Sequence, residues 1–148
     1  MTTAPDPEEF AGRCVVVTGG TRGTGHAVVD RFLAGGAQVL TAARSDRADE
    51  IPGAAFVQAD LSTPEGAEAL AAAAAERFGG VDVLVHVVGG SASPGGGFSA
   101  LDDAAWQREL DQNLMTAVRL DRVLVPGMVA RGNGAVVHPS SIQRRLPL

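Results

Sequence analysis

An eight-residue stretch with the sequence TGGTRGTG, Thr18 to Gly25, has the composition of a phosphate-binding loop. A bound phosphate needs bare backbone N–H donors, no Cβ in the way and the positive end of a helix pointing at it. Gly19 permits a tight turn, Gly23 permits close approach, and Gly25 permits a helix to pack against a strand. Turns are rich in glycine for other reasons, so a plain turn is the alternative. The apolar run before the loop and the helical pattern after it favour phosphate binding.

The secondary-structure elements around the loop must hold it in position. The sequence indicates these elements, because short apolar runs alternate with helical patterns along the whole chain. Runs that are apolar nearly throughout are typical of strands buried on both faces, as in a parallel sheet. Five such runs are present: CVVVT (14–18), AQVLTAA (37–43), AAFVQAD (54–60), VDVLVHVV (81–88) and AVVH (135–138). The alternation requires right-handed crossovers and predicts an α/β fold with a Rossmann-like, doubly wound parallel sheet of about five strands.

Three helices are predicted between the strands. The first covers about residues 23–34, and the second follows the N-cap residue Thr63 and ends at Phe78. The third runs from about 102 to 131 and is expected to kink at Pro126. Its apolar spacing predicts one buried face, formed by Trp106, Leu110, Leu114, Ala117, Leu124 and Met128.

Composition restricts the classes to which the protein can belong. The chain has 148 residues, 45% of them hydrophobic and 20% charged, which suits one folded domain. A net charge of −5 argues against nucleic acid and membrane surfaces as partners, and a lone cysteine excludes an internal disulfide and a Cys-based metal site. No metal site is predicted. The acidic N-terminus lacks a signal pattern, so we expect a cytoplasmic protein with a flexible tail (1–10) and a single dinucleotide-binding domain (11–148).

Several further motifs follow the glycine loop in a fixed order. The loop spacing is TGxxxGxG, and after it come Asp60-Leu61, LVHVVGG at 84–90, Asn113 in the long helix and Ser140-Ser141 after the fifth strand. With these motifs the chain resembles the short-chain dehydrogenase/reductase family over essentially its whole length. The resemblance implies a nicotinamide cofactor, hydride transfer to or from a small carbonyl or alcohol, and a homo-oligomer as an option for the full-length form.

The resemblance also implies which residues bind the cofactor. The end of the second strand carries Ala43 and Arg44, where NAD-preferring sites place an acid. The Arg44 guanidinium suits a 2′-phosphate and Arg22 can approach it from the other side, although both can instead be solvated loop arginines. We therefore predict NADP in preference to NAD. Asp60 is expected to bind the adenine edge, or alternatively to cap the next helix. The predicted cofactor-binding residues are Gly19, Thr21, Arg22, Gly23, Thr24, Gly25, Arg44, Asp60, Leu61 and Gly89.

The fourth strand departs from the family pattern, because HVVG stands at 86–89 where family members usually carry NNAG. The asparagine normally stabilises the strand through bonds to the backbone, and a ring nitrogen of His86 can do the same. A structural role for His86 is preferred to a catalytic one, because no acid or nucleophile is evidently paired with it. His26 and His138 are interpreted as surface or packing residues.

The family's chemistry uses a serine, a tyrosine and a lysine, with a helix asparagine that holds a water. Ser141 matches the serine, for which an ordinary loop hydroxyl is the alternative, and Asn113 matches the asparagine. The tyrosine and lysine belong to a YxxxK motif expected beyond Ser141, but the chain contains no tyrosine and all twelve of its basic residues are arginine. We therefore expect an N-terminal portion, truncated before that motif as a fragment, frameshift product or natural truncation. Its fifth strand is then an exposed edge.

Two functions remain open at this point. The first is an NADP-dependent short-chain oxidoreductase whose 148-residue chain is nearly inert by itself. The second is a catalytically inactive, NADP-binding regulatory or subunit protein, which would explain an intact glycine loop without the tyrosine and lysine.

Overall fold

A five-stranded parallel sheet forms the centre of the computed structural model, which describes residues 6–45 and 51–141. The strands are β1 (Cys14–Thr18), β2 (Gln38–Ala43), β3 (Ala55–Gln58), β4 (Val83–His86) and β5 (Ala135–Val137). Their order is β3-β2-β1-β4-β5, and each neighbouring pair is parallel. Successive strands are added on one side of β1 as far as β3 and on its other side from β4 onwards. The crevice between β1 and β4, where the strand order reverses, is where open α/β sheets bind ligands. The predicted doubly wound α/β fold is confirmed.

Four α-helices connect the strands within the described residues: α1 (Gly23–Ala34), α2 (Pro64–Phe78), α3 (Asp103–Leu110) and α4 (Thr116–Arg131). The first two have the predicted bounds. The predicted third helix is α3 and α4 joined through a π-helical segment, Asp111–Met115. Helix α4 continues through Pro126 and ends at Gly132, whose φ is +64°.

Local sequence signals set both ends of α2. The Thr63 hydroxyl accepts a hydrogen bond from the Gly66 amide at 3.1 Å, and Pro64 occupies the first helical position. At the other end Gly79 adopts a left-handed conformation, with φ of +72°, and its N–H bonds to the Ala75 carbonyl. Both are the arrangements that favour a helix start and stop.

The sheet is covered on both faces, which explains its uninterrupted apolar strands. Val15, Val16 and Val17 of β1 are all 0% exposed, because successive side chains of a strand point to opposite faces. Val16 packs in one layer with the apolar residues of α2 and α4, including Leu70 and Leu120. Val15 and Val17 pack in the other layer with α1. β1 is therefore the most deeply held strand, and the glycine loop leaves from its end.

The predicted buried face of the long helix is wrong in its first half. Trp106, Leu110 and Leu114 are 45%, 44% and 52% exposed, and Ala105 is the buried residue of α3. In α4 the buried stripe is Thr116, Leu120, Leu124 and Met128. Apolar spacing defines a stripe on a helix, but the neighbouring elements decide which stripe is covered. In α3 the buried stripe contains Ala105, which is one residue before the bulky Trp106 that the apolar spacing favoured.

The two ends of the described chain differ in burial. Phe10 packs its ring on Phe32 of α1 at 4.7 Å, and the Phe10 N–H bonds to the Gly35 carbonyl at 2.7 Å. β5 is an edge strand whose Val136 and Val137 are 36% and 46% exposed. In the part of the chain that the structure describes, no helix has the length and apolar character needed to cross a bilayer.

Candidate functional site

A cleft of about 570 Å³ opens at the carboxyl ends of the central strands. All ten predicted cofactor-binding residues line it, although they come from four separate parts of the chain. The other lining residues, which were not among those ten, are Ala42, Ala43, Ser45, Ala59, Ser62, Val87, Val88 and Gln112. Of these, Ala43, Val87 and Val88 lie in stretches that the sequence analysis considered, whereas Ser62 and Gln112 belong to no recognisable motif and the sequence offered no signal for them.

Three of the four glycines of the loop meet different steric demands. Gly19 and Gly23 have φ of +68° and +54°, a region in which other residues are strained. A Cβ on Gly23 would meet nothing within 4 Å, so this residue leaves open space on the cleft side. A Cβ on Gly25 would lie 2.1 Å from the Gly19 carbonyl oxygen. The close approach predicted for Gly25 is therefore made against the loop itself, and not against a strand.

The first turn of α1 is arranged to receive an anion. Arg22 is the N-cap residue, yet its side chain makes no capping bond, and no acidic residue lies in the first turn. The first backbone bond of the helix runs from the His26 amide to the Arg22 carbonyl at 3.2 Å. Gly23, Thr24 and Gly25 line the cleft, so the N–H groups of this turn and the positive end of the helix dipole are presented to it.

A buried threonine fixes the loop to the sheet. The Gly20 amide donates to the Thr41 hydroxyl at 2.9 Å, and that hydroxyl donates to the Val17 carbonyl at 2.6 Å. Thr41 is fully buried on β2. Because one hydroxyl serves the loop and β1 together, the loop amides are held in a fixed position relative to the sheet.

Thr18, at the end of β1, stabilises the chain just after β4. Its hydroxyl accepts bonds from the Val87 and Val88 amides at 2.9 and 3.0 Å. This is a backbone-holding role of the kind predicted for His86. The backbone bonds predicted for His86 are wrong, because its Nε2 contacts Asp121 and its Nδ1 has no hydrogen-bond partner among the described residues.

His86 pairs with an acid, whereas the sequence indicated no acid beside it. Its Nε2 lies 2.8 Å from Asp121 Oδ1 on α4, and its ring stacks on that of His138 with a centroid separation of 4.5 Å. Nδ1 is buried and has no hydrogen-bond partner among the described residues. Burial lowers the pKa of His86, and the Asp121 carboxylate only partly opposes it. No sequence signal indicated this pair, because the two residues are 35 positions apart on different elements.

Two arginines lie at the cleft, one in the loop after β1 and one directly after β2. Arg22 and Arg44 are both exposed and line it. The backbone of Arg44 is fixed because its carbonyl accepts a bond from Gln58 Nε2 at 3.0 Å. Ala43 lies beside it at the end of β2, so the described part of this strand end carries no acid.

Asp60 occupies the cleft beside the end of β3. Its carboxylate accepts bonds from the Ser62 amide at 3.0 Å and the Ser62 hydroxyl at 2.7 Å. The suggestion that Asp60 caps the following helix is wrong, because Thr63 supplies the cap. The Asp60 side chain therefore shapes the turn at the cleft rim and remains exposed there.

Asn113 lies in the π-helical segment and clamps the loop that follows β4. Its Oδ1 accepts a bond from the Gly90 amide at 2.9 Å, while Nδ2 donates to the Gly90 carbonyl at 2.8 Å. Nδ2 also donates to the Glu109 carbonyl, one turn back, at 3.0 Å. Asn113 borders a second pocket next to the cleft.

Ser141 is the last residue that the structure describes. It is exposed and borders neither the cleft nor the second pocket. The structure thus gathers the ten cofactor-binding candidates and brings Asn113 beside them. Ser141 does not line either of the two pockets, and residues 142–148 lie beyond the described part.

Comparison with known proteins gives a consistent result. A family profile described as "short chain dehydrogenase" matches residues 13–148. The 2,3-dihydroxy-2,3-dihydro-p-cumate dehydrogenase of Pseudomonas putida is 36% identical over 149 residues, covering 92% of this chain and 56% of that protein. The 3β-hydroxysteroid dehydrogenase 1 of Eggerthella lenta is 34% identical, covering 95% and 57%.

Solved structures agree with these relatives. L-sorbose reductase from Gluconobacter frateurii, complexed with NADPH and L-sorbose, has a TM-score of 0.84 at 33% identity, covering 96% of this chain and 57% of that one. NADH-dependent reductase A1-R′, complexed with NAD, also has a TM-score of 0.84, at 27% identity and with coverage of 95% and 64%. The chain spans somewhat more than half the length of the relatives that it matches. Over that span its profile match, its motif order and its fold all agree, and the chain belongs to the short-chain dehydrogenase family.

Proposed function

We propose that this chain is the cofactor-binding part of an NADP(H)-dependent short-chain oxidoreductase that acts on a small carbonyl or alcohol. The observation that carries the proposal is the cleft, in which an uncapped helix N-terminus, a glycine loop and two arginines lie together. When bound, the nicotinamide supplies or accepts the hydride. The roles of the residues below concern how this chain holds such a molecule.

The pyrophosphate is assigned to the first turn of α1. Free N–H groups there donate to phosphate oxygens, and the absence of acidic residues in that turn avoids repulsion. The open space above Gly23 admits the phosphate close to the backbone. The bond from Gly20 to Thr41 keeps the loop from collapsing into that space.

The adenosine end is assigned to the strand ends beside Arg44. A 2′-phosphate there would receive charge-assisted bonds from Arg44 and Arg22, with no acid at Ala43 to repel it. Asp60 and Leu61 would contact the adenine, and Gly89 would lie beside the ribose. This charge pattern favours NADP(H) over NAD(H).

The catalytic assignments rest on the family resemblance. Ser141 is proposed to orient the carbonyl oxygen, and Asn113 to support the proton path while it clamps Gly90. Reduction also needs an acid that protonates the alkoxide. This chain has no tyrosine and no lysine, and its arginines keep their protons at working pH. We therefore expect the chain by itself to bind the cofactor without rapid turnover, as a binding-only subunit would.

The test is a calorimetric titration of the 148-residue chain with NADPH and with NADH. NADPH should bind more tightly, and Arg44→Ala should weaken NADPH binding by about 10- to 100-fold through loss of a charge-assisted hydrogen bond, while NADH binding stays unchanged. Arg77→Ala is the matched control, because Arg77 is an exposed arginine in the last turn of α2 and away from the cleft. Equal affinities for the two cofactors, or an equal loss for both in Arg44→Ala, would contradict the NADP assignment. Absence of binding to either would contradict the proposed site.

A further inference from the structure

Three residues outside the cofactor cleft bring metal-ligating atoms together. His86 ends β4, Asp121 lies on α4 and His138 follows β5. One ligating atom from each residue lies within 4.8 Å of the other two. We propose that His86, Asp121 and His138 bind one divalent transition-metal ion of the Zn²⁺ class.

The separations between the ligand atoms suit such an ion. His86 Nε2 lies 2.8 Å from Asp121 Oδ1, and His138 Nε2 lies 3.7 Å from Asp121 Oδ2. Two atoms that are each about 2.0–2.1 Å from a tetrahedral Zn²⁺ are about 3.3 Å apart. The observed separations lie on either side of this value. Because a ring nitrogen binds an ion in the plane of its ring and the two rings are stacked 14° from parallel, binding requires the exposed His138 ring to rotate out of the stack.

The environment of His86 is difficult to explain by packing alone. The residue is 7% exposed, and its Nδ1 is buried without a hydrogen-bond partner among the described residues. An apolar residue at this strand end would avoid that unsatisfied atom. The imidazole places its other nitrogen against Asp121, and the rings of His86 and His138 are stacked only 14° from parallel. The buried, unpaired Nδ1 of His86 therefore lies beside a cluster of three possible ligands.

The donor set determines the class of ion. Two imidazole nitrogens and one carboxylate suit Zn²⁺, Co²⁺, Ni²⁺ or Cu²⁺, whereas Mg²⁺ and Ca²⁺ prefer oxygen donors alone. The Asp121 and His138 side chains are 34% and 52% exposed, so an ion can reach them from solvent. A pocket of about 300 Å³ lies beside the three ligands and is also lined by Asn113 and Thr116. It leaves room for a water in a fourth coordination position, as in open three-ligand sites.

The proposed site can be tested independently of the cofactor. None of the three ligands lines the cofactor cleft, although Val88 contributes to both cavities. Since the ligands come from β4, α4 and the end of β5, a bound ion would join three elements that are far apart in sequence. It should therefore stabilise the folded chain as well as bind to it.

The experiment titrates Zn²⁺ into the untagged, metal-free 148-residue chain in competition with a chromophoric chelator, and repeats the titration with Co²⁺ followed by its visible absorption. We expect one ion per chain and a Co²⁺ spectrum with nitrogen and oxygen ligation. Zn²⁺ at about a hundred times its dissociation constant should raise Tm by about 5–10 °C. His138→Asn removes an exposed ligand with little effect on folding, and it should weaken Zn²⁺ binding by at least about 10-fold.

His26→Asn is the matched control, because His26 also pairs with a carboxylate, Asp30, at 3.0 Å but does not belong to the three-ligand cluster found among the described residues. This variant should bind Zn²⁺ like the parent chain. The proposal is overturned if Zn²⁺ fails to saturate at one per chain, if His138→Asn binds it unchanged, or if His26→Asn removes the binding. Competition by millimolar Mg²⁺ would also contradict the assigned donor set.

Discussion

Replacing Gly25 with alanine tests the steric basis of the cofactor loop. The new Cβ would lie 2.1 Å from the Gly19 carbonyl oxygen, 2.8 Å from its carbon and 3.1 Å from the Gly20 Cα. All three are backbone atoms, so no side chain can rotate away. Since Cβ contacts below 3.0 Å are essentially never found, the loop and the first turn of α1 must separate by about 1 Å.

The energetic cost follows from this displacement. Overpacking of a tight contact costs about 1–3 kcal/mol, and alanine recovers up to about 1 kcal/mol of helix propensity because Gly25 lies within α1. The net loss of about 1–2 kcal/mol corresponds to a fall in Tm of about 2–8 °C for a chain of this size. The movement also displaces the amides assigned to the pyrophosphate, so NADPH affinity should fall by at least about 10-fold.

The assay combines thermal unfolding with NADPH titration of Gly25→Ala and of a control, Gly127→Ala. Gly127 lies inside α4, and a Cβ there would meet only the end of the Arg131 side chain, at 3.4 Å. The control should gain up to about 1 kcal/mol in the free energy of unfolding and bind NADPH normally. The steric reasoning is refuted if Gly25→Ala keeps the parent Tm and the parent affinity for NADPH.

Three further predictions concern the hydrogen bonds of two threonine hydroxyls and the reactivity of one thiol. Thr41→Val leaves the Gly20 amide and the Val17 carbonyl without their shared buried partner, so urea unfolding should show a loss of about 1–3 kcal/mol, and Thr41→Ser should recover most of it. Thr63→Ala removes the N-cap of α2 and should cost about 1 kcal/mol in the same measurement, whereas Thr63→Ser should cost little. Burial raises the pKa of the Cys14 thiol. Alkylation of the folded chain should therefore accelerate only at a higher pH than alkylation of the unfolded chain, and identical pH profiles would contradict this.

Short-range features of the protein could be predicted from its sequence. The bounds of β1, α1 and α2 follow from apolar runs, the glycine stops and the Thr63 cap, because these interactions join residues within a few positions of each other. The cleft could be predicted for a related reason. In a parallel sheet the residues that follow each strand lie at the same edge of the sheet, so motifs that are separate in sequence line one cavity.

Tertiary structure decided the features that depend on which surfaces meet. The apolar pattern of α3 favoured Trp106, but the body of the protein covers Ala105, because burial depends on where the neighbouring elements lie. His86 was expected to hold the backbone, a task performed by Thr18, and it lies instead against an aspartate 35 residues away. A local pattern sets the period and the ends of an element, whereas the partner of a given side chain depends on how whole elements pack together. That packing is a property of the entire chain, and no short segment contains it.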